Sequence, residues 1–405
     1  MIEKVFAREV LDSRGNPTVE CELTTQKGVF RAMVPSGAST GVHEALELRD
    51  GGERFHGKGV KKAVENVNRV LAPLIKGEKP SQELDETLLQ ADNTPNKGKL
   101  GANAILSVSM ALARATAAEK GVELFEHFSE LSGRTPCLPV PGSNVINGGA
   151  HAGNELNIQE YMIVPEGAAS FAEGTRTVSE TYHELKRILK EKYGRGAINV
   201  GDEGGFAPQL ADDREPFELI SKAISELGLE GKMFFGLDAA ASNFYENGKY
   251  VLGKQYSGEE LADYYLDLAK TYPFKLMEDP FAEEDFDSFA RLTSKAGFTV
   301  VGDDLLVTNP ERIRKAVQKN ACNCLLVKLN QIGSVTEAIE AVKEARAAGW
   351  KTMVSHRSGE TEDAFIADFA VGIGSEYAKI GAPARSDRTS KYNQFMRLEE
   401  KIISA

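Results

Sequence analysis

The chain is poor in cysteine, with 4 in 405 residues. A disulfide framework would need more cysteines in a chain of this length, so a small disulfide-stapled scaffold is excluded. The four are Cys21, Cys137, Cys322 and Cys324. The last two stand two positions apart and therefore do not form a CxxC motif. We therefore expect inert core thiols and a reducing, cytoplasmic location.

The chain also lacks a long apolar run and an excess of basic residues. Its start, MIEKVFAREV, has no apolar signal-peptide core, and the most apolar helical stretch is interrupted by serines and Arg114. The 60 acidic and 48 basic residues give a net charge of -12. This charge argues against nucleic acid or an anionic membrane as a general partner, so we expect no nucleic-acid partner and no membrane span.

The first third of the sequence predicts a small α+β domain. Two alternating stretches, TVECELTT and VFRAMVPSG, predict antiparallel strands joined by a turn at residues 26–28. Helical patterns follow, including a long helix that ends at Gly121. The stretch TPCLPVPGSNVINGG is rich in proline and glycine and marks a boundary. We assign residues 1–134 to an N-terminal α+β capping domain and residues 135–405 to a catalytic barrel domain.

From about residue 230, short apolar runs alternate with amphipathic helical stretches. Each run ends in a polar residue, and from Glu278 onward these residues are 23 to 28 positions apart, about one strand and one helix. Such units predict a parallel sheet, here an α/β fold with a closed (β/α)8-type barrel. Active sites of these barrels lie at the carboxyl ends of the strands. That is where this series falls: Asp238, Glu278, Asp303, Lys328, His356 and Lys379.

Three of these positions suit a metal ion. Asp238, Glu278 and Asp303 end three successive runs and can converge. Three carboxylates without a nearby Cys or His ligand suit a hard cation, and Mg²⁺ is favoured. Independent helix caps are the alternative. In the doublets that end in Asp279 and Asp304, we assign the first member as the ligand, because strand alternation turns its neighbour away from the barrel axis.

The remaining strand ends suit acid–base chemistry on an anion. Lys328, close to a cation and partly desolvated, should have a lowered pKa and could act as a general base. Lys379 would bind an anion or share that electrostatic task. His356, Arg357 and Ser358 fall in one loop, and an arginine beside a serine hydroxyl suits a phosphate.

Three glycine-rich loops lie earlier: VPSGASTGVHE, NGGAHAGNELNIQE and VGDEGGFAP. The first could close as a lid and bring Ser39 to a metal, while ordinary turns are the alternative for each loop. None matches GxGxxG or a Walker A loop, so no nucleotide is indicated. The other two loops carry further polar candidates: His151, Gln159, Glu160 and Glu203.

Several long stretches resemble the enolase family: SGASTGVHEALELRDG, GDEGGFAP, DDLLVTNP, VKLNQIGS and SHRSGETEDAFIAD. The similarity runs from AREVLDSRGNPTVE to GAPARSDR and so covers nearly the whole chain. It implies a smaller N-terminal α+β domain on a barrel whose first elements are ordered ββαα. It also implies a lyase of glycolysis and gluconeogenesis that reversibly dehydrates 2-phosphoglycerate to phosphoenolpyruvate with Mg²⁺.

The resemblance implies a role for each matching position. Two Mg²⁺ ions per active site are expected, the first on the three strand-end carboxylates and the second bound with help from Ser39. Lys328 would remove the C2 proton. Glu203, with Glu160 beside it, would assist loss of the C3 hydroxyl. The substrate contacts and the residues that complete the closed pocket would be Gln159, His151, His356, Arg357, Ser358 and Lys379.

The resemblance further implies a homo-oligomer, either a dimer or an octamer built from dimers. The charged cluster of Arg8, Glu9 and Arg14 would contact a neighbour's barrel, with a solvated face as the alternative. Enolases are also found on cell surfaces bound to plasminogen through a C-terminal lysine. Here the last residue is Ala405 and the nearest lysine is Lys401, which weakens that route.

Two competing hypotheses concern the reaction itself. A catalytically silent member of the family should lack a site residue, and all of them are present. A relative that acts on a non-phosphorylated acid should lack the phosphate contacts, and Arg357 with Ser358 argues against it.

Overall fold

The computed structural model describes residues 1–37, 41–149 and 152–404. Two predicted site residues, Ser39 and His151, lie outside this range. In the part of the chain that is described, no helix combines the length and the apolar character needed to cross a bilayer.

The N-terminal region pairs a three-stranded antiparallel sheet with helices. Strands β1 (Ile2–Leu11), β2 (Pro17–Thr25) and β3 (Gly28–Met33) pair in sequence order, and the turn between β2 and β3 falls where it was predicted. The longest helix of this region packs on β2 and β3 and ends at Gly121, whose φ of 73° favours glycine. The helices are α1 (Lys61–Asn66), α2 (Ala72–Ile75), α3 (Leu84–Asp92), α4 (Ala102–Lys120) and α5 (Leu124–Ser132).

The rest of the chain forms a closed eight-stranded barrel. A small antiparallel sheet, β7 to β9, is inserted between two barrel strands and accounts for the 40-position interval from Asp238 to Glu278. In chain order the strands are β4 (Val140–Asn147), β5 (Glu160–Val164), β6 (Phe234–Asp238), β7 (Tyr245–Glu246), β8 (Lys249–Leu252), β9 (Lys254–Tyr256), β10 (Phe274–Glu278), β11 (Thr299–Gly302), β12 (Cys324–Val327), β13 (Lys351–Ser355) and β14 (Tyr377–Lys379).

Strand β5 runs antiparallel to both its neighbours, β4 and β6, whereas the other adjacent barrel strands are parallel. The barrel therefore begins ββαα and continues in βα units. Because β5 is reversed, its first residue, Glu160, pairs with the last residue of β6, Asp238. The barrel-region helices are α6 (Phe171–Tyr193), α7 (Glu215–Glu226), α8 (Gly258–Thr271), α9 (Phe286–Thr293), α10 (Pro310–Lys319), α11 (Leu329–Ile332), α12 (Val335–Ala347), α13 (Phe365–Gly372) and α14 (Ser386–Ser404).

A separate apolar cluster fills the barrel interior. Its members are Met162, Val164, Leu276, Val301, Cys324, Leu326, Met353 and Tyr377. Side chains along a strand alternate between faces, so the residue two positions further on also points inward. Two positions after Leu276, Val301, Leu326 and Tyr377 come the polar residues Glu278, Asp303, Lys328 and Lys379. The polar side chains at the rim therefore point toward the barrel axis, like the apolar side chains beneath them.

The four cysteines are free thiols, as the sequence indicates. Cys21, Cys322 and Cys324 are buried, and burial raises the pKa of each thiol. Cys137 instead lies exposed, so it is not a core residue.

Candidate active site

One cavity at the rim gathers most of the predicted site residues. Its free volume of about 20 Å³ is close to what one water molecule needs. A substrate must therefore displace side chains to enter. Glu278 and Asp303 do not line the cavity, but they contact Lys379 and Lys328, which do. The lining residues are Gln159, Glu160, Glu203, Asp238, Lys328, Ser355, His356, Arg357, Ser358 and Lys379.

Lys379 joins three carboxylates where the strands meet. Its Nζ lies 2.9 Å from Oε1 of Glu160, 2.8 Å from Oδ2 of Asp238 and 2.8 Å from Oε2 of Glu278. Burial alone would lower the pKa of this ammonium, but the three acids outweigh burial and raise the pKa of Lys379 well above its ordinary value. Lys379 is therefore a fixed positive charge at the centre of the rim.

Lys328 is paired with an acid. Its ammonium contacts the carboxylate of Asp303. Burial lowers the pKa of Lys328, yet the Asp303 charge raises it, and the net shift is upward. The predicted lowering of the Lys328 pKa assumed a cation beside the ammonium, and it stays a prediction for the metal-bound site. To accept a proton, Lys328 would have to leave Asp303 and first lose a proton of its own ammonium.

The carboxylates of the rim fit a hard cation. Burial, followed by the charge of Asp238, raises the pKa of Glu278 well above its ordinary value, and Asp303 adds to this effect. Oε1 of Glu278 is buried and has no hydrogen-bond partner among the described residues. A buried carboxylate oxygen without a donor is suited to coordinating a metal. The predicted first-site ligands therefore have the chemistry that a divalent cation requires.

The three predicted metal ligands, Asp238, Glu278 and Asp303, are not the residues whose ligand atoms lie closest together in the described part of the chain. Among the described residues, Asp279, Asp303 and Asp304 can bring ligand atoms within 4.8 Å of one another, and so can Glu160, Glu203 and His356. The predicted triad is instead divided between two lysines. Asp238 and Glu278 contact Lys379, and Asp303 contacts Lys328.

Asp279 holds the backbone that carries Asp303 and Asp304. Its two carboxylate oxygens accept the backbone N–H groups of Asp303 and Asp304 at 2.9 and 2.7 Å. Gln331, at the start of the next unit, donates to Oδ1 of Asp303 at 2.8 Å. Asp303 is thus oriented by two neighbours. Sequence reasoning missed Gln331, although it lies in the motif VKLNQIGS.

Glu203 faces the cavity from the glycine-rich loop. Asn144 on β4 donates to its Oε2 at 2.9 Å, and Oε1 lies 3.7 Å from Nε2 of His356. The next residue, Gly204, has φ of +83°, and a Cβ there would lie 2.9 Å from the carbonyl oxygen of Ala384. The loop therefore needs glycine at that position to present Glu203. Asn144 was not predicted from the sequence.

Glu160 lies beside Glu203 on the reversed strand β5. Burial, followed by the Glu203 charge, raises the pKa of Glu160 well above its ordinary value, despite the opposing charge of Lys379. The neighbouring Gln159 donates to Oδ2 of Asp238 at 3.2 Å, and its Oε1 has no partner among the described residues. This side of the cavity can therefore hold a proton and accept one further donor.

Arg388 on α14 fixes the loop that carries His356, Arg357 and Ser358. It donates to the backbone carbonyls of Arg357 and Ser358 at 2.6 and 2.7 Å, and its Nη1 lies 2.6 Å from Nδ1 of His356. An arginine can only donate, so Nδ1 accepts and the imidazole proton belongs on Nε2, the side of Glu203. Burial, followed by the Arg388 charge, lowers the pKa of His356 well below its ordinary value, so the ring is neutral.

Arg357 is engaged by a carboxylate from the glycine-rich loop near the N-terminus. Its Nη1 and Nη2 donate to Oε2 and Oε1 of Glu44 at 3.0 and 3.1 Å. This two-pronged contact is the one that a guanidinium makes with a phosphate. Glu44 also accepts from the backbone of Gly41 at 3.2 Å. The loop thus places an acidic group against the Arg357 guanidinium.

The fold and the site together define an enzyme class. A closed barrel with lysines, carboxylates and a guanidinium converging on the carboxyl ends of its strands is suited to acid–base chemistry on a small anion. The family model described as the enolase C-terminal TIM barrel domain matches residues 135–405, and the enolase N-terminal domain matches residues 2–128. The chain belongs to the enolase family.

Membership of this family assigns the chain to the lyases of the enolase superfamily, with enolase-type dehydration of a small-molecule substrate. The family is metal-dependent, and the described residues include acidic groups able to hold a metal ion.

Proposed function

We propose that the protein is a phosphopyruvate hydratase, which reversibly dehydrates 2-phosphoglycerate to phosphoenolpyruvate in an Mg²⁺-dependent reaction. The observation that carries this proposal is a single cavity lined by Lys328, Glu203 and the loop of Arg357 and Ser358. A base, an acid and a phosphate-binding pair therefore share one wall. The reaction would serve glycolysis and gluconeogenesis in the cytoplasm, with cell-surface presence as a secondary location.

Lys328 removes the C2 proton of the substrate in this proposal. Asp238, Glu278 and Asp303 would hold the first Mg²⁺, which supplies positive charge beside the substrate carboxylate when it is bound. Lys328 acts as base in its neutral form, so its ammonium must first leave Asp303 and lose a proton to solvent. Lys379 contributes a second fixed positive charge, which offsets the negative charge that develops when the proton leaves.

Glu203 assists loss of the C3 hydroxyl. Asn144 orients one of its oxygens at 2.9 Å, and the neutral His356 ring lies beside the other. Glu160 stands next to Glu203 and has a raised pKa because of burial and the Glu203 charge. We assign the acid role to Glu203, with Glu160 and His356 as its catalytic neighbours.

The substrate would be held by residues from several loops. Arg357 and Ser358 bind its phosphate, and Gln159 and Lys379 contact its polar groups. Ser39 would help to bind a second Mg²⁺, and His151 would complete the closed pocket. Residues 1–134 form the capping domain and residues 135–405 the catalytic domain in this proposal.

A direct assay tests this function. Purified protein with Mg²⁺ and 2-phosphoglycerate should produce the absorbance of phosphoenolpyruvate, and glycerate, which lacks the phosphate, should react poorly. Equal turnover of glycerate would favour a superfamily member that acts on a non-phosphorylated acid. No turnover of either compound would favour a silent member.

The contact between Glu44 and Arg357 gives a more specific prediction. Phosphate binding must displace the Glu44 carboxylate, so Glu44→Gln, which weakens that contact, should lower the KM for 2-phosphoglycerate about fivefold. Steady-state kinetics would measure this change. Glu259→Gln, an exposed position on α8, is the matched control and should leave the KM unchanged. A KM that stays the same or rises in Glu44→Gln would show that Glu44 does not compete with substrate.

We also propose that the chain forms a homodimer, or an octamer built from dimers. Exposed apolar side chains on the N-terminal sheet, Phe6, Leu11 and Val29, support an interface there. Arg8 pairs with Glu22 at 3.1 Å within the same sheet, so part of the predicted charged cluster is already satisfied. Light scattering at micromolar concentration should give at least twice the chain mass of 44.0 kDa. The mass of a single chain would contradict this assembly.

A further inference from the structure

Two consecutive residues between β11 and α10 have a strained backbone. Val307 and Thr308 have φ of +44° and +54°, in the left-handed region that β-branched residues rarely adopt. Both side chains are fully buried. Strain of this kind persists only where the surrounding contacts hold it, and it is concentrated at functional sites. The contacts of Thr308 therefore indicate what the strained turn serves.

The Thr308 hydroxyl joins two segments of the candidate active site. It accepts the backbone N–H of Lys328 at 3.0 Å. Its own proton is directed to Oε1 of Gln331 at 2.9 Å, because the alternative acceptor, the carbonyl oxygen of Leu326, is farther away at 3.4 Å. The hydroxyl is thus used both as acceptor and as donor.

The partners of Gln331 fix the orientation of its amide. Nε2 donates to Oδ1 of Asp303 at 2.8 Å. An ionised carboxylate can only accept, so the amide nitrogen faces Asp303 and the amide oxygen faces Thr308. The second amide hydrogen is directed toward Oε1 of Glu44 at 3.4 Å. Gln331 is 1 % exposed, so solvent has little access to these contacts.

These contacts close into a ring around the proposed base, because Oδ2 of Asp303 contacts the Lys328 ammonium. This hydrogen-bond ring runs from the Lys328 backbone through Thr308, Gln331 and Asp303 to the Lys328 side chain. Departure of the ammonium would open only the last contact. Oδ2 of Asp303 would then be free for a cation, while Gln331 still holds Oδ1.

We propose that Thr308 and Gln331 are positioning residues, which hold the base Lys328 and the metal ligand Asp303 in place through the hydrogen-bond ring. This inference rests on the roles proposed above for Lys328 and Asp303. Residues that orient metal ligands typically contribute about 10- to 100-fold to metal affinity or activity. The strained turn is retained, in this view, because it brings the Thr308 hydroxyl to the ring.

Calorimetric Mg²⁺ affinity without substrate, measured beside kcat, tests this role. Thr308→Val keeps the β-branched shape and removes the hydroxyl, and Gln331→Met keeps the chain length and removes the amide. Each should weaken Mg²⁺ binding and lower kcat about tenfold. Thr308→Ser keeps the hydroxyl and should restore both quantities. Gln331→Met leaves the turn intact, so it tests the ring even if Thr308→Val does not fold.

The double variant tests whether the two residues act as one unit. Either change breaks the same ring, so Thr308→Val with Gln331→Met should bind Mg²⁺ as the weaker of the two single variants does. Independent residues would instead multiply their losses in affinity. Thr181→Val is the matched control, because it removes a buried hydroxyl that donates to the Thr177 carbonyl at 2.8 Å on α6. It should keep the Mg²⁺ affinity of the unaltered protein.

Three results would each overturn the positioning role: unchanged Mg²⁺ affinity in both single variants, multiplied losses in the double variant, or equal losses in Thr308→Ser and Thr308→Val. The unaltered protein would still bind Mg²⁺ and turn over 2-phosphoglycerate in these cases, so the proposed function would stand. An unaltered protein that binds no Mg²⁺ would overturn both the positioning role and the proposed function.

Discussion

Replacing Lys328 with alanine should abolish both exchange of the substrate C2 proton with solvent and formation of phosphoenolpyruvate. General acid–base assistance is typically worth about 10²- to 10⁴-fold, and a larger loss is expected here. Of the lysines lining the cavity, Lys328 is the one assigned as base, while Lys379 is held by three carboxylates. Proton exchange is followed by NMR in deuterated water, and product by absorbance.

The control for this variant is Lys343→Ala, an exposed lysine on α12, which should retain full activity. Magnesium affinity should survive in Lys328→Ala, because Lys328 is not assigned as a ligand. Exchange of the C2 proton at the normal rate in Lys328→Ala would remove the role proposed for this residue.

Removal of the metal should have an effect of similar size. Burial and, after it, the charges of neighbouring acids raise the pKa of Glu278 and Glu160, so a divalent cation would offset repulsion among these carboxylates. We expect exhaustive chelation to abolish activity and added Mg²⁺ to restore it. Full activity after chelation would contradict the metal requirement.

Asp303→Asn should localise that requirement to the first metal site. We expect its Mg²⁺ affinity, measured by calorimetry, to fall at least about a hundredfold, since changes even to residues that only support metal ligands cost about 10- to 100-fold. Asp267→Asn, an exposed position on α8, is the matched control. Unchanged Mg²⁺ affinity in Asp303→Asn would remove Asp303 from the ligand set.

The position of the rim could be predicted because strand geometry is regular. Apolar runs of fixed spacing predict the strands, and alternation within each run separates Glu278 from Asp279. The structure places the first of these against Lys379 and uses the second to hold backbone amides. The reversed strand β5 was implied by the resemblance to enolases and not by any local pattern, because the short apolar run that follows Glu160 has the same pattern in either direction.

Contacts between distant segments could not be predicted. Glu44 and Arg357 are 313 positions apart, and Arg388 reaches His356 from the final helix. The direction of the Lys328 pKa depends on which acid lies against the ammonium, and spacing along the chain does not reveal that partner. Sequence periodicity therefore located the charged groups, whereas the tertiary fold decided how they pair.

The most direct test of the two-residue account is C2 exchange in Glu203→Gln. This substitution keeps the size of the side chain and removes its acid. In deuterated water with Mg²⁺ and 2-phosphoglycerate, the variant should still replace the C2 proton with deuterium, because Lys328 is intact, while forming almost no phosphoenolpyruvate. Loss of exchange together with dehydration, in a variant that still binds Mg²⁺, would contradict the assignment of the two steps to two residues.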